Sequence, residues 1–261
     1  MSLVPALLGP IRPAFLTRVT PAARLVAGMA WLVAAIVTLD PVVPVRLALA
    51  AVAALALWSG LPLRRIPRRM APLGFAILSL TFFSIVLAGA NADRSLAAVL
   101  EIGPVRITAP AVSAGLAIGL RVVVIGLTTL LVFGPSDPTR MADSLVQQWH
   151  VPDRFAYGTL GAMRVAPFMA DDWAVIGAAR HLRGIGSGSP ASRIRDAADR
   201  LVVMLVAAIR GAERLALAMD ARGFDSGVRR SHFRELRVTW RDWLTVGVAV
   251  GVAVAAVALP R

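Results

Sequence analysis

Two stretches of the chain end alike. One reads Ala178-Ala179-Arg180-His181-Leu182-Arg183-Gly184, the other Ala216-Leu217-Ala218-Met219-Asp220-Ala221-Arg222-Gly223-Phe224. Each has the form of a long helix that runs into Arg-Gly and stops. The chemistry such an end offers is recognition: an arginine held out at a helix terminus for a partner. A plainer reading stands beside it, because Gly past a helix end is a common cap and a cation in the last turn suits the helix dipole. Two copies on consecutive long helices favour the first reading.

Reaction chemistry finds little support. The chain has no cysteine, which excludes thiolate metal sites and thiol nucleophiles. It has no lysine either, and no G-x-x-x-x-G-K-[ST] loop with which to hydrolyse ATP. Gly184-x-Gly186-x-Gly188 follows a helix, not a strand, and reads as a flexible turn. His150, His181 and His232 are too scattered for a ligand set, so neither a metal nor a cofactor is expected. Asp220-Ala221-Arg222-Gly223 does not reproduce the Asp-Gly-x-x-Ala-Arg pattern of membrane phosphatidyltransferases.

The elements that must position these ends are set by composition. Of 261 residues, 57% are hydrophobic and 16% charged, which is typical of a polytopic membrane protein. The net charge of +13 then reflects loops rich in Arg, not nucleic-acid binding, since aromatic residues do not interleave with the basic ones. The N-terminus lacks a signal-peptide layout, so the first span is expected to be retained. Five apolar runs are candidate spans: Leu25 to Leu39, Val42 to Trp58, Leu73 to Ala90, Ala111 to Phe133 and Trp243 to Leu259. The first is short, a tilted span or one arm of a tight hairpin. Arg is plentiful before the first run, scarce at Asp40 to Arg46, dense at Arg64, Arg65, Arg68 and Arg69, mixed with acids from Asp93 to Arg106, and plentiful again from Asp137 to Asp242. That alternation places the N-terminus and the large polar region in the cytoplasm and the C-terminus outside.

The fold expected is all-α: a membrane bundle over residues 1–134, a cytoplasmic helical region over 135–240 and a last transmembrane helix over 241–261. Ser136-Asp137-Pro138 starts a short helix with Met141, Leu145, Val146 and Trp149 on one face. Val151-Pro152-Asp153 opens a second helix to about Arg183, and a third runs from about Ala191 to Arg222. Their apolar middles, Phe155 to Ala170 and Leu201 to Ile209, are expected to be buried against each other and against the spans. Gly158, Gly161, Ala162, Gly177, Ala207, Ala208 and Gly211 would allow close approach, and Pro167 should kink the second helix. Helices joined by a short turn run antiparallel, so the two Arg-Gly ends would lie at opposite ends of the pair. Arg121, near the middle of the fourth run, reads either as a packing anchor or partner contact, or as a residue snorkelling from a span that starts nearer Leu116.

Taken in order, these residues resemble the transmembrane T component of energy-coupling factor (ECF) transporters. The resemblance covers roughly Ala111 to Phe224. Its markers are Arg121, Thr128-Thr129, Ser136-x-Pro138 leading into Ala142-x-x-Leu145, Val151-Pro152, Met163-Arg164-x-x-Pro167 and the two Arg-Gly ends. The family pattern at those ends is Ala-Arg-Gly. Ala221-Arg222-Gly223 matches it fully, while Leu182-Arg183-Gly184 keeps the Arg and Gly only. The resemblance implies a non-enzymatic coupling subunit of an importer for a vitamin or transition-metal ion. Two cytoplasmic ABC ATPases would bind the two Arg-Gly ends. Arg121, Arg164 and Pro167 would serve coupling and packing, and a small substrate-binding membrane protein, the S component, would pack on the spans. The alternatives are an ABC permease that forms its own substrate path and, less supported, a membrane enzyme.

Overall fold

The computed structural model describes residues 14–38, 40–60, 65–91, 93, 96, 98–102, 105–184, 189–224 and 234–259. They form two compact units, one from the described residues between 145 and 235, the other from those up to 144 and from 236 onward. Apart from one β-hairpin, the regular structure among them is helical.

The larger unit begins with a single turn, α1 (Phe15–Arg18), and two 17-residue apolar helices, α2 (Pro21–Val37) and α3 (Val42–Trp58). Then come α4 (Arg65–Val86), a 3-10 turn at Gly89–Asn91, strands β1 (Ala98–Ile102) and β2 (Val105–Thr108), and α5 (Ala109–Phe133). Helix α6 (Pro138–Trp149) leads into the other unit, and α9 (Trp240–Ala258) closes the first. Segments Met70–Asn91, Ala109–Phe133 and Trp240–Ala258 are long and apolar enough to cross a membrane, while α2 and α3 are shorter. The core of the unit joins α2, α3, α5 and α9 through residues such as Trp31, Leu47, Leu55, Val124, Leu127 and Ala253.

Small residues set the helix spacing. Gly115 and Gly119 are one turn apart on α5, and a Cβ at either would run into Ile85 or Thr81 of α4. Gly126 meets Met70 and Leu73 further along, so α4 and α5 run antiparallel at close range. Polar caps fix the ends. Asp242 is 2% exposed and accepts from the backbone N–H of Thr20 (2.6 Å) and of Thr239 (2.6 Å), and from Thr239 Oγ1 (2.9 Å). One carboxylate thus caps the N-termini of both α2 and α9. Ser144 Oγ accepts from the Ala22 N–H at 3.0 Å. Asp137, not Ser136, caps α6, accepting from the Thr139 N–H at 3.2 Å, while Ser136 Oγ donates back to the Val132 carbonyl at 2.7 Å.

Several expectations shift. The first helix starts at Pro21, where a missing N–H is harmless, and ends at Val37; Leu39 lies outside the described residues. Arg65, Arg68 and Arg69 were expected in a loop but belong to α4, because Arg is a good helix former and Pro67 falls in the first turn. Arg64 lies outside the described residues, as do residues 185–188, His232 and Arg261. The loop from Asp93 to Arg106 contains the hairpin, clasped by Asn91, whose Oδ1 accepts from the Thr108 N–H at 3.0 Å. On α6, Val146 is buried as expected, but Trp149 is exposed, and Ala142, Asp143 and Ser144 are buried as well.

The smaller unit is dominated by α7 (Asp153–Leu182, 30 residues) and α8 (Pro190–Ala221, 32 residues). A Cβ on Gly161 would touch Leu215, and one on Gly177 would strike the Arg200 guanidinium. Arg180 bonds Asp196. Facing residues descend along α8 as they ascend along α7, so the pair is antiparallel. Gly158 and Gly211 face open space and do not mediate the approach. The expected burial of both helix middles is also corrected. Phe155, Phe168, Leu201, Val202, Leu205 and Ile209 are all exposed. Two cylinders touching along one line can cover only a narrow strip of each.

Candidate functional site: two matched helix ends

The Arg-Gly ends are the same local structure built twice. Arg183 is the C-cap of α7 (φ −86°, ψ 8°) and Arg222 that of α8 (φ −88°, ψ 8°). Gly184 and Gly223 follow in the left-handed region, with φ of 73° and 75°. There a Cβ would crowd the backbone, so glycine is required. At the second end the Gly223 N–H bonds the Asp220 carbonyl (2.8 Å) and the Phe224 N–H bonds the Met219 carbonyl (3.0 Å), which is a Schellman closure. At the first, the Gly184 N–H bonds the His181 carbonyl at 2.9 Å. The backbone therefore explains both glycines but neither arginine. Both arginines are exposed, and neither guanidinium makes a hydrogen bond or ion pair among the described residues. Leu182 beside Arg183 is 88% exposed, and Ala221 beside Arg222 is exposed as well.

Arg180, three residues before Arg183, has a different job. Its Nε bonds Asp196 at 2.6 Å and its Nη2 bonds Asp199 at 3.0 Å. Arg200 closes on the other oxygen of Asp196. Asp196 is 6% exposed and lies between two guanidinium groups. The hydrogen bond from Arg180 holds its carboxyl below the ordinary carboxylate range, against the opposing effect of burial. The same bond to Asp196 raises Arg180 above its usual value. This clamp locks α7 to α8 near the first Arg-Gly end. Sequence reading missed it, although Asp196, Asp199 and Arg200 at helical spacing after the turn were the available signal.

The structure does not gather the remaining sequence candidates into one place. Arg183 and Arg222 lie at opposite ends of the antiparallel pair, about 45 Å apart at 1.5 Å per residue. Arg164 is exposed midway along α7. Helix α7 runs unbroken through Pro167, which has no N–H to offer the Met163 carbonyl one turn back. Arg121 sits in the larger unit, midway along the 25-residue α5. Its Nε bonds the Ala35 carbonyl at 2.9 Å, and its Nη2 bonds the carbonyl of Thr38. Helix α2 is short and stops level with the middle of α5, and Arg121 caps the carbonyls that this early stop leaves bare. Helix α5 begins at Ala109, so Arg121 lies at mid-helix, bonded to the end of α2. Arg46 does the same for α9, donating to Ala256 (3.1 Å) and Leu259 (2.9 Å).

Known proteins are similar to this chain in sequence. The CbiQ family, described as cobalt transport protein, matches residues 13–233. The energy-coupling factor transporter transmembrane protein EcfT of Limosilactobacillus fermentum is 32% identical over 161 residues, 58% of this chain and 60% of that protein. The protein of the same name from Thermosediminibacter oceani is 27% identical over 208 residues, 76% of each chain. A Bifidobacterium longum protein, provisionally named as an ABC transporter ATP-binding protein, is 29% identical over 168 residues, 61% of this chain but only 21% of its own length. The chain thus spans 60% of the Limosilactobacillus relative and much less of the Bifidobacterium one. Both matched helix ends fall inside the family's range. The chain belongs to the CbiQ family, the transmembrane-component family of the energy-coupling factor transporters.

Proposed function

We propose that this T component couples two cytoplasmic ABC ATPases to a small substrate-binding S component, in an importer for a vitamin or a transition-metal ion. The observation that carries the reading is the pair of equivalent, exposed Arg-Gly ends whose guanidinium groups are unengaged among the described residues. Helix capping accounts for the glycines alone. Two like sockets on an ATPase dimer suit two like ends held apart by a rigid pair. Leu182, Arg183 and Gly184 occupy one socket, and Ala221, Arg222 and Gly223 the other. Closure of the dimer on ATP moves α7 and α8, and that motion tips the S component to release its cargo inside. Arg164 and Pro167 lie on the moving helix, and Arg121 holds the membrane unit firm. The alternation of loop charge supports a multi-pass chain with its N-terminus and helix pair in the cytoplasm. The Bifidobacterium relative, named for ATP binding, supports an ATPase partner.

Titration of the cognate ATPases onto the purified chain in detergent tests this. Each end alone should bind modestly, and the pair should gain by effective concentration. Arg183→Ala and Arg222→Ala should each weaken the complex in part, Arg222→Ala more, since only its end carries the full Ala-Arg-Gly pattern. The double Glu variant should release the ATPases from a chain that remains folded. Undiminished binding by that variant would sink the proposal.

A further inference from the structure

The larger unit contains a cavity that the coupling function does not use. Its volume is about 170 Å³, and Trp31, Ala54, Trp58, Leu131 and Val248 form much of its apolar wall. Pockets that enclose drug-sized ligands run to roughly 300–1,000 Å³, so this one suits a thin occupant. Three polar side chains break the apolar lining: Thr245, whose Oγ1 donates to the Arg241 carbonyl at 2.8 Å, and Arg24 and Thr128, which are 3% and 2% exposed. Arg24 Nη1 reaches the Val132 carbonyl at 3.4 Å, but Arg24 Nε and Thr128 Oγ1 have no hydrogen-bond partner among the described residues. A donor buried without an acceptor is costly. Water could serve these two atoms but would not fill the apolar remainder.

Phe15 also borders a second recess of about 360 Å³, lined by Ala14, Arg18, Trp240 and Arg241. Among the described residues the recess has no carboxylate on its wall. The nearby carboxylate of Asp242 is already bonded to three donors from Thr20 and Thr239. Arg241 lies 5.6 Å from the Trp240 ring centroid. Trp240 and Arg241 open an apolar helix long enough to cross a membrane, the composition of a membrane–water boundary. Basic recesses between helices at that boundary take anionic headgroups.

We propose that the two recesses together hold one anionic phospholipid. Its phosphate lies between Arg18 and Arg241, its ester oxygens accept from Arg24 Nε and Thr128 Oγ1, and one acyl chain runs into the cavity between Trp31 and Trp58. The lipid is a fixed part of the larger unit, independent of whether the Arg-Gly ends bind ATPases.

Native mass spectrometry of the full chain, released from detergent after mixing with equal dioleoyl phosphatidylglycerol and dioleoyl phosphatidylcholine, tests the assignment. We expect one retained phosphatidylglycerol per chain, favoured about tenfold or more over phosphatidylcholine and not displaced by inorganic phosphate. The surface double variant Arg18→Gln/Arg241→Gln should lose the headgroup preference yet still retain lipid. Ala54→Phe should reduce retention of either lipid by narrowing the cavity. If Ala54→Phe fails to fold, the surface variant still decides. No retained lipid, equal retention of both lipids by the wild-type chain, or displacement by inorganic phosphate would overturn the proposal. So would lipid that is bound by the isolated chain but absent from its complexes, since a partner would then own the cavity.

Discussion

Arg121 and Arg222 are both candidates for contact with a partner in the sequence, yet only one of them is engaged among the described residues. Arg121 spends its donors on the carbonyls of Ala35 and Thr38. Replacing it with Met should destabilise the membrane unit by about 2–4 kcal/mol, as two charge-assisted bonds are lost. Arg121→Lys should recover only part, since an ammonium cannot fork to two acceptors as a guanidinium does. Unfolding in detergent would measure both. Arg222 holds nothing among the described residues. Arg222→Ala should leave stability within about 0.5 kcal/mol, whereas Gly223→Ala should cost about 1 kcal/mol or more from its φ of 75°. Thermal unfolding of the two variants separates them, and a reversed order would contradict both roles. The arginines of the two ends were legible because they recur with Gly at a helix terminus. The role of Arg121 was not, because it depends on where a helix some 85 residues earlier stops.

Helices were legible wherever an apolar run sits between turn residues, as in Val42–Trp58, whose two ends agree with the expected run. The β-hairpin was not, because Ala98–Thr108 is short and mixes Glu101 with Arg106, which pair across the turn at 3.0 Å. The close approach of α4 to α5 was written in Gly115 and Gly119 but needed a partner helix to give it meaning. The burial expected for the middles of α7 and α8 failed because apolarity tells that a face will be covered but not by what. The clamp on Asp196 gives this pair a pH dependence whose sign follows from its lowered pKa. Its contribution is complete above the unfolded value, about 3.9, and is lost as pH falls through the lower folded value. Spin labels at exposed Ala178 and Arg195 should therefore report one narrow distance from pH 5 to 8 and broaden only below about pH 4. Asp196→Ala should broaden it at neutral pH, leaving Arg180 and Arg200 to repel. Broadening in the wild-type chain at pH 6 would show that the clamp is not what holds the pair.

At the scale of the molecule, the absence of native cysteine makes the proposed topology directly measurable. Single cysteines at Ser187 and Arg261 should behave oppositely toward an impermeant thiol reagent on intact cells. Arg261→Cys should be labelled and Ser187→Cys should not; the reverse would invert the orientation. The two units also differ in how far each satisfies itself. The larger closes its helix ends with Asp242, Ser144, Arg121 and Arg46. The smaller leaves Phe155, Phe168, Leu201, Val202, Leu205 and Ile209 uncovered. A newly made copy that has met no companion therefore presents to the cell the surface by which chaperones and proteases recognise damage. A copy whose helices stay uncovered should therefore be shorter-lived than one whose helices are covered, which pulse-chase of the chain expressed alone and with its neighbours would measure.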